Sequence, residues 1–455
     1  MMIRGRALGI ATVGCLAWVL PMVVGCTPSD EEQYEGPAEL RSTEPIVSTL
    51  PYEPPPELRS DEPRQLPANV PTADLNELVA GNTAFSFDLL HALSQPDGDL
   101  FFSPYSISLA LAMTYGGARG GTATEMADAL HYTLPQEQLH PAFNKLDQVL
   151  ASRGQGADPD DEVFQLHIAN AIWAQVGFGI EQDFLDLLAV NYGAGVYLAD
   201  FVGATETARQ TINDWVSHQT EGRIEDLLPA GIITVDTLLV LTNAIYFKAA
   251  WKYKFLEEST VDRSFDLEGG GTVTVPMMRQ TQRFRYIEGN GVQAVELPYV
   301  GDELSMVILL PDPGLFSEIS ETADGSLVNG LIGAMQEQNL WLELPRFTYE
   351  SFISLKQELE GFGMQQAFQQ GSADFSGIST IPGLHIMAVI HKAFVDVNEA
   401  GTEAAAATAV VMGADAGAPP PPPIELIVDR PFLFLIRDSG TGTVLFVGAV
   451  ENPLS

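Results

Sequence analysis

A run of small residues near the C-terminus has a composition that would allow it to be buried beneath other parts of the fold. Residues 397–411 read Val-Asn-Glu-Ala-Gly-Thr-Glu-Ala-Ala-Ala-Ala-Thr-Ala-Val-Val. By helix propensity, the four alanines favour a short exposed helix that leads into a linker. With the two-residue period of a β-strand, Thr402, Ala404, Ala406 and Thr408 would all face one side. Such a face can pass under a packed layer because it carries no large or charged side chain.

Catalytic motifs are missing from the sequence. It contains no His-Glu-x-x-His zinc motif, no Gly-x-Ser-x-Gly nucleophile turn and no nucleotide-binding loop. The seven histidines are scattered rather than spaced as metal ligands. We therefore expect a protein that is not an enzyme and that uses neither a metal nor another cofactor.

Composition excludes one class of partner and indicates how the fold is stabilised. With 22 basic and 60 acidic residues, the formal net charge is −38, so nucleic acid is not expected to bind. The 455 residues, 46% of them hydrophobic, suffice to bury a large core. Only Cys15 and Cys26 are cysteines, and both lie near the N-terminus. The folded part should therefore hold no disulfide and depend on packing.

The first 25 residues have the features of an export signal. Two arginines precede an apolar stretch at residues 7–24, so residues 1–25 are predicted to be a signal peptide. Residues 23–26, Val-Val-Gly-Cys, resemble the lipobox of bacterial lipoproteins, which implies lipid attachment at Cys26. The alternative is ordinary cleavage with Cys26 incidental. Cys15 follows a similar sequence, but cleavage there would leave too short an apolar region.

The segment after the signal peptide is rich in Pro, Glu, Ser and Asp. Such a composition cannot bury enough apolar surface to form a core, so residues 26–71 are predicted to be a disordered tether. The folded domain should occupy residues 72–455. With lipid at Cys26, the protein would be exported and anchored to the membrane of the bacterial cell envelope. It would face the periplasm or the cell surface, or be released into the extracellular space.

Helix and strand signals alternate through the predicted domain. Ser103 before Pro104 is a helix N-cap signature, which predicts a buried helix over residues 105–114. Residues 238–251 form a near-continuous apolar run, typical of a strand buried on both faces. Residues 388–397 form another apolar strand, so the small-residue segment directly follows a sheet. The C-terminal apolar runs predict a buried hairpin within residues 431–448.

Several of these motifs resemble the serpin family, and they occur in the same order. Residues 398–408 resemble the hinge of the reactive-centre loop of inhibitory serpins, although Ala400 replaces an acidic residue at a position expected to be exposed. The blocks at residues 101–130, 215–228 and 238–251 and the C-terminal hairpin are similar to the family as well. The resemblance implies an α+β fold with a large mixed main β-sheet, additional sheets, surrounding helices and an exposed reactive-centre loop at about residues 399–425. Its hinge would comprise Glu399, Gly401, Thr402, Glu403, Ala404, Ala405, Ala406, Ala407 and Thr408.

The resemblance also implies roles for residues far from the hinge. Ser103 and Ser106 would lie beneath the middle of the main sheet, where it parts. Asn243 and His391 would form a hydrogen bond across the closed sheet, and Trp251 would pack where the loop first enters it. A more general interpretation of Asn243 and His391, as core polar groups with satisfied hydrogen bonds, agrees with this role.

For function, the resemblance implies a monomeric suicide inhibitor of an endopeptidase of the serine or cysteine type. The protease would cut the loop, form its acyl-enzyme and be carried along as the cut loop inserts into the main sheet. The alternative is a serpin-fold protein that does not inhibit and serves as a binding or surface interaction module. Non-inhibitory relatives commonly carry bulky, charged or proline residues at the inward-facing hinge positions, and this hinge carries none there.

The position of the cut stays open between three bonds. Counting forward from Gly401 at the family's usual loop length leads to Asp415 and Ala416, but the prolines at 419–423 lengthen the far side of the loop. We therefore expect cleavage after Ala414, Asp415 or Ala416. An alanine before the cut would imply an elastase-like or subtilisin-like target with a small pocket. Asp415 before the cut would imply a target with a basic pocket.

Overall fold

Helices surround two sheets in the part of the chain that this computed structural model describes, which is residues 52–66, 69–94, 98–154, 164–402 and 421–454. Residues 54–455 form one compact unit, and the description below refers to it. The helices are α1 (Thr72–Leu93), α2 (Pro104–Tyr115), α3 (Gly120–Ala129), α4 (Gln136–Ala151), α5 (Gln182–Tyr192), α6 (Thr205–Gln219), α7 (Phe316–Thr322), α8 (Gly325–Ala334) and α9 (Lys356–Gly361). The strands are β1 (Glu57–Leu58), β2 (Leu100–Phe102), β3 (Gln165–Gln175), β4 (Val196–Ala199), β5 (Leu239–Ala250), β6 (Val261–Asp266), β7 (Thr272–Gly289), β8 (Val292–Pro298), β9 (Leu304–Pro311), β10 (Gln336–Pro345), β11 (Phe347–Ser354), β12 (Val389–Val397), β13 (Gly401–Thr402), β14 (Ile424–Ile427), β15 (Phe432–Asp438) and β16 (Val444–Val450).

Helix α2 is the most deeply buried of these helices. It begins as predicted, with Pro104 at its first position and the side chain of Ser103 accepting a hydrogen bond from the backbone N–H of Ser106 at 3.2 Å. Every residue of α2 is buried, because the helix contacts β3 and β5 of one sheet and β16 of the other. No helix among the described residues is long and apolar enough to cross a membrane.

The main sheet is mixed and has seven strands in the order β1-β4-β3-β5-β13-β12-β11. Strand β5 runs antiparallel to β3 and parallel to β12. Residues 241–246 of β5 pair directly with residues 389–394 of β12. At the carboxyl ends of both strands, β13 lies between them and runs antiparallel to each. We call the junction between β5 and β12 the seam.

The second sheet contains nine strands in the order β14-β10-β7-β8-β9-β15-β16-β2, with β6 paired to β7. The predicted C-terminal hairpin forms its strands β15 and β16. Phe101 stacks on Phe434 and Phe446, with ring centroids 5.9 and 5.1 Å apart, and so packs β2 against the hairpin. The prediction of an α+β fold with a large mixed main sheet is confirmed.

The folded unit begins before the boundary predicted at residue 72. Strand β1 adds to the edge of the main sheet by pairing antiparallel with β4. Arg64 then donates from Nε to Asn144 Oδ1 at 2.9 Å and from Nη2 to Asp147 Oδ2 at 2.6 Å, which fixes the segment to α4. The prediction of a disordered tether over residues 26–71 is therefore wrong for residues 54–66. A segment that cannot form a core can still add backbone hydrogen bonds to an open sheet edge.

Replacing Arg64 by alanine should destabilise the folded unit. Hydrogen bonds between charged groups stabilise folded proteins, and solvent screens the partly exposed pair of Arg64 and Asp147. We therefore expect Arg64→Ala to lower the free energy of unfolding by about 1–2 kcal/mol. Chemical denaturation measures the effect. Glu62→Ala alters an exposed side chain of the same segment and should leave stability unchanged. Equal stabilities of the two variants would mean that Arg64 does not anchor the segment.

Candidate functional site

The hinge begins inside the main sheet. Gly401 lies opposite Ala250, and Thr402 lies opposite both Ala249 and Val397. Only glycine fits at position 401, since a Cβ there would lie 2.2 Å from the carbonyl oxygen of Ala249. The side chain of Thr402 is completely buried. The prediction of an exposed loop from residue 399 is therefore wrong for residues 399–402, which the seam and its neighbours cover.

Tyr299 holds the side chain of Thr402. Its phenolic oxygen lies 2.8 Å from Thr402 Oγ1, and both residues are buried. The ring of Tyr299 stacks on Trp251 with centroids 4.7 Å apart and an interplanar angle of 7°. Burial raises the pKa of Tyr299 above its ordinary value, so the hydroxyl keeps its proton and can donate it to the threonine. Thr402 is thus anchored where the two seam strands part.

Trp251 supports the turn that precedes the hinge. Its indole Nε1 donates to the carbonyl oxygen of Asn398 at 2.9 Å, and its backbone N–H donates to that of Ala400 at 3.0 Å. The Asn398 side chain accepts hydrogen bonds from the N–H groups of Ala400 and Gly401 at 3.0 and 3.3 Å. Ala400 is only 8% exposed, so the prediction that it is an exposed position is wrong. An acidic side chain there would need a partner to offset its burial.

Glu399 ties the hinge to the connection between the two sheets. Arg346, which joins β10 to β11, donates from Nε to both carboxylate oxygens at 2.7 and 2.6 Å. Thr260 donates to the same carboxylate, and the N–H of Phe255 donates to the carbonyl oxygen of Glu399 at 2.9 Å. The carboxylate is 5% exposed, so the charge is compensated almost entirely by these donors.

Polar side chains predicted to lie beneath the sheet meet at the seam. His391 Nδ1 is hydrogen-bonded to Asn243 Oδ1 across the seam. Asn243 Nδ2 donates to Ser106 Oγ at 2.7 Å, and the backbone N–H of Ser103 donates to His391 Nε2 at 3.1 Å. Ser103 Oγ donates to the carbonyl oxygen of Leu445 at 2.6 Å, which links the cluster to the second sheet. Ser103, Ser106, Asn243 and His391 are all buried.

Asn170 completes this cluster, which we call the latch. Its Oδ1 accepts hydrogen bonds from Asn243 Nδ2 at 2.6 Å and from Ser106 Oγ at 3.1 Å, and its Nδ2 donates to the backbone oxygen of Ser106 at 3.0 Å. Asn170 lies directly opposite Asn243 on β3. The sequence analysis missed it, although an asparagine within the apolar strand at residues 166–174 is the kind of signal that indicates a buried polar network.

The hydrogen bonds of the latch fix the protonation state of His391. Because a backbone N–H points at Nε2, that nitrogen accepts, and the proton is on Nδ1, which donates to Asn243 Oδ1. Burial lowers the pKa of His391 to about 3. The imidazole is therefore neutral at neutral pH. A second proton on Nε2 would face the N–H of Ser103 and break the arrangement.

Tyr299 and Arg346 are further site residues that the sequence analysis missed. Their partners Thr402 and Glu399 lie 103 and 53 residues away along the chain. Neither residue belongs to a motif with a recognisable spacing. Contacts of this kind depend on how the two sheets are joined, and a local pattern carries no signal for them.

Several predicted residues lie outside the described part of the chain. They are the scissile-bond candidates Ala414, Asp415 and Ala416, the lipidation candidate Cys26, and the hinge residues Glu403, Ala404, Ala405, Ala406, Ala407 and Thr408. At the far end of the loop, Ile424 and Glu425 belong to β14. The loop therefore ends before residue 424 and not at residue 425.

Known proteins resemble this chain in sequence and in structure. The family model described as "Serpin (serine protease inhibitor)" matches residues 80–453. An uncharacterised serpin-like protein of Thermococcus kodakarensis is 40% identical over 370 residues, which are 81% of this chain and 84% of that protein. The leukocyte elastase inhibitor of Homo sapiens is 38% identical over 395 residues, 83% of this chain and 100% of that protein. The crystal structure of the thermophilic serpin tengpin in its native state superposes with a TM-score of 0.78 at 30% identity, covering 88% of this chain and 100% of that one. The chain therefore belongs to the serpin family.

Proposed function

We propose that this protein is a suicide inhibitor of a serine endopeptidase. The observation that carries the proposal is the position of Gly401 and Thr402 between β5 and β12. The serine hydroxyl of the protease would attack a carbonyl in the segment between Thr402 and Pro421. The C-terminal peptide beyond the cut bond would be released with a new amino terminus. The residue before the cut would stay joined through its carbonyl carbon to the serine oxygen of the protease, as an ester. Extension of β13 by the cut loop would then carry the protease away.

The pairing of β13 gives the register that an inserting loop would take. Thr402 lies opposite Ala249 and Val397, so antiparallel continuation would bring residue 408 opposite residue 243 on β5 and residue 391 on β12. Thr408 would arrive between Asn243 and His391, which face each other across the closed seam. Its hydroxyl can donate one hydrogen bond and accept another, so it can replace the bond that insertion breaks.

The path between these points favours small side chains. The inward-facing neighbours along it include Phe247 and Ile245 on β5 and Val395 on β12, and all three are buried. Ala404 and Ala406 would enter on the same face as Thr402. Alanine adds little volume to a layer that is already packed, whereas a larger side chain would force its neighbours out of position. The composition of the hinge therefore supports insertion.

Backbone hydrogen bonding supports the direction of the reaction. In the closed seam, β5 and β12 share one parallel ladder over residues 241–246 and 389–394. Each inserted residue would exchange that pairing for antiparallel pairing on both sides. Antiparallel ladders are slightly more stable per residue than parallel ones, and the number of ladders doubles. Insertion would thus be favourable once cleavage frees the loop.

A protease panel tests the proposal. Elastase-like, subtilisin-like and aspartate-directed serine proteases are incubated with the protein, and denaturing gels detect a covalent complex. The mass of the released C-terminal peptide then distinguishes cleavage after Ala414, Asp415 or Ala416. Loop cleavage without any complex, and without a rise in thermal stability, would favour the non-inhibitory alternative.

Thr402→Arg should convert the protein from an inhibitor into a substrate. Thr402 is already completely buried between β5 and β12 in the uncleaved protein, so arginine should force the hinge out of the seam. The cut loop could then re-enter only by burying an unpaired ion, at an effective cost of several kcal/mol. Insertion would slow, and the acyl-enzyme would hydrolyse first. The ratio of cleaved to trapped protein on a denaturing gel measures this. Thr402→Ser keeps the hydroxyl and should still trap the protease, as should Glu403→Arg on the other strand face. Equal trapping by Thr402→Arg would refute the insertion mechanism.

Stability should fall as the pH is lowered through the ordinary histidine range. Burial lowers the pKa of His391 to about 3 and that of His140 to about 4, from an ordinary value of 6.5. Between those values the unfolded chain binds more protons than the folded chain, so acidification favours unfolding. The loss should be about 2 kcal/mol per histidine between pH 6.5 and about pH 5. Denaturation at several pH values measures it. His391→Gln should reduce the slope, and an unchanged slope would contradict the assignment.

Cys26 is the proposed point of attachment to the cell envelope. The lipobox-like residues 23–26 support this proposal, and an acyl chain there would anchor the folded unit without a spanning helix. The unaltered protein should partition into a detergent phase, and Cys26→Ser should move it to the aqueous phase. Recovery of the unaltered protein in the aqueous phase, with a free amino terminus, would show that Cys26 is not acylated.

A further inference from the structure

The chain enters the folded unit at a fixed edge and in a fixed direction. Strand β1 runs antiparallel to β4 with Glu57 opposite Tyr197, and the N–H of Leu198 donates to the carbonyl oxygen of Pro56 at 2.8 Å. Because β1 and β4 run in opposite directions, the residues before Glu57 lie towards the carboxyl end of β4. The contacts of Arg64 with α4 hold the segment on its other side. The place where the chain joins the folded unit is therefore defined.

This entry point lies at the end of the main sheet opposite the hinge. Through its neighbours on β4 and β3, Glu57 is level with Val240, the second residue of β5. Gly401, by contrast, lies opposite Ala250, the last residue of β5. The two levels are ten residues apart along β5, which corresponds to about 34 Å of strand. The N-terminal segment therefore joins the sheet far from the place where the loop enters it.

Loop insertion would bring the cut end of the loop to the same end of the sheet as Glu57. Continuation of β13 in its observed register would place residue 411 opposite Val240, at the level of Glu57. The candidate residues before the cut, 414–416, follow a few positions later, so the acyl-linked residue would lie beyond the amino end of β5. Four strand positions separate β1 from β13, which corresponds to about 19 Å across the sheet. The protease would therefore arrive next to the entry point of the N-terminal segment.

We propose that residues 26–53 are a spacer that leaves room for the trapped protease between the folded unit and the membrane. The inference rests on the proposed inhibitory function and on the proposed attachment at Cys26. A compact protease domain of about 230 residues has a radius of gyration of about 17 Å and hence a diameter of about 45 Å. The 28 residues from Cys26 to Glu53 can span at most about 95 Å when extended. The spacer is thus long enough for a protease to fit beside it.

A spacer shorter than the protease would bring the arriving protease against the membrane. Insertion would then have to tilt the folded unit or stop before it is complete, because the protease and the lipid cannot occupy the same space. The acyl-enzyme would have more time to hydrolyse, and more inhibitor would be cleaved without trapping a protease. A chain that is free in solution meets no such obstacle. Trapping should therefore depend on the length of the spacer on a membrane and not in solution.

The test counts the inhibitor molecules consumed per trapped protease, with the acylated protein in phosphatidylcholine vesicles and the protease from the panel that forms the covalent complex. This count, unlike the association rate, does not depend on how fast the protease finds the loop. Deletion of residues 30–49 leaves an eight-residue spacer that reaches at most about 28 Å, and it should raise the count about threefold on vesicles. The same deletion combined with Cys26→Ser should trap in solution as efficiently as Cys26→Ser alone. Twenty glycine and serine residues in place of residues 30–49 should restore the count on vesicles, because length is what matters.

Each contrary result has a separate meaning. An unchanged count for the deletion on vesicles would overturn the spacer alone. An equal rise in solution, or a glycine-serine replacement that fails to restore the count, would also overturn it, since residues 30–49 would then act through their sequence or on the folded unit. Recovery of the unaltered protein in the aqueous phase would overturn the attachment at Cys26 and the spacer with it. Absence of a covalent complex with the unaltered protein, on vesicles and in solution, would overturn the proposed function.

Discussion

The direct pairing of β5 with β12 is the constraint on which the rest of the molecule depends. These two parallel strands pair directly over residues 241–246 and 389–394, and beyond this stretch Gly401 and Thr402 lie between their carboxyl ends. A parallel pair in the middle of a sheet can accept a third strand running the other way, because both its edges then become antiparallel ladders. The hinge, the latch and the anchoring residues at the carboxyl ends of the strands are all arranged around this one junction.

The entrance to the seam is held by contacts of two different strengths. Nε and Nη2 of Arg346 form a bidentate ion pair with Glu399, whose side chain is only 5% exposed, and this pair holds the turn before the hinge. The side chain of Thr402 is held by Tyr299 through a single hydrogen bond between neutral groups. Neutral hydrogen bonds are weaker than bidentate charge-assisted ones. The stronger of these two contacts thus lies before Gly401 and the weaker one after it, and at Gly401 itself the close approach of the Ala249 carbonyl oxygen excludes any side chain.

The latch residues predicted from the sequence do meet at the seam, because polar side chains in apolar strands leave a short local pattern. The small residues at alternate hinge positions are also a local pattern, and their role in insertion stays a prediction. Tyr299 and Arg346 could not be predicted, because their contacts depend on how distant strands are placed in space. The ordered segment at residues 54–66 could not be predicted either, since it binds through its backbone and through Arg64, and its composition is that of a tether. Ala400 was expected to be exposed and is buried, because it lies in a turn for which the sequence carries no recognisable pattern.

Polar side chains at the latch would suit a seam that opens as the proposed function requires. Apolar residues of similar size would often be as stable or more stable in this position, because buried polar groups lose their contacts with water. Apolar residues would have no hydrogen bonds that could be exchanged for new ones if the loop inserted. If the seam parted, Asn243 would keep its amide hydrogen bonds to Ser106 and Asn170, and only its oxygen would lose His391. One lost hydrogen bond costs about 1 kcal/mol, and the register of β13 would bring the hydroxyl of Thr408 to the same place. Under the proposed insertion, the hydrogen bonds of the cluster would therefore be satisfied both in the closed sheet and in the expanded one, which would lower the cost of passing from one to the other.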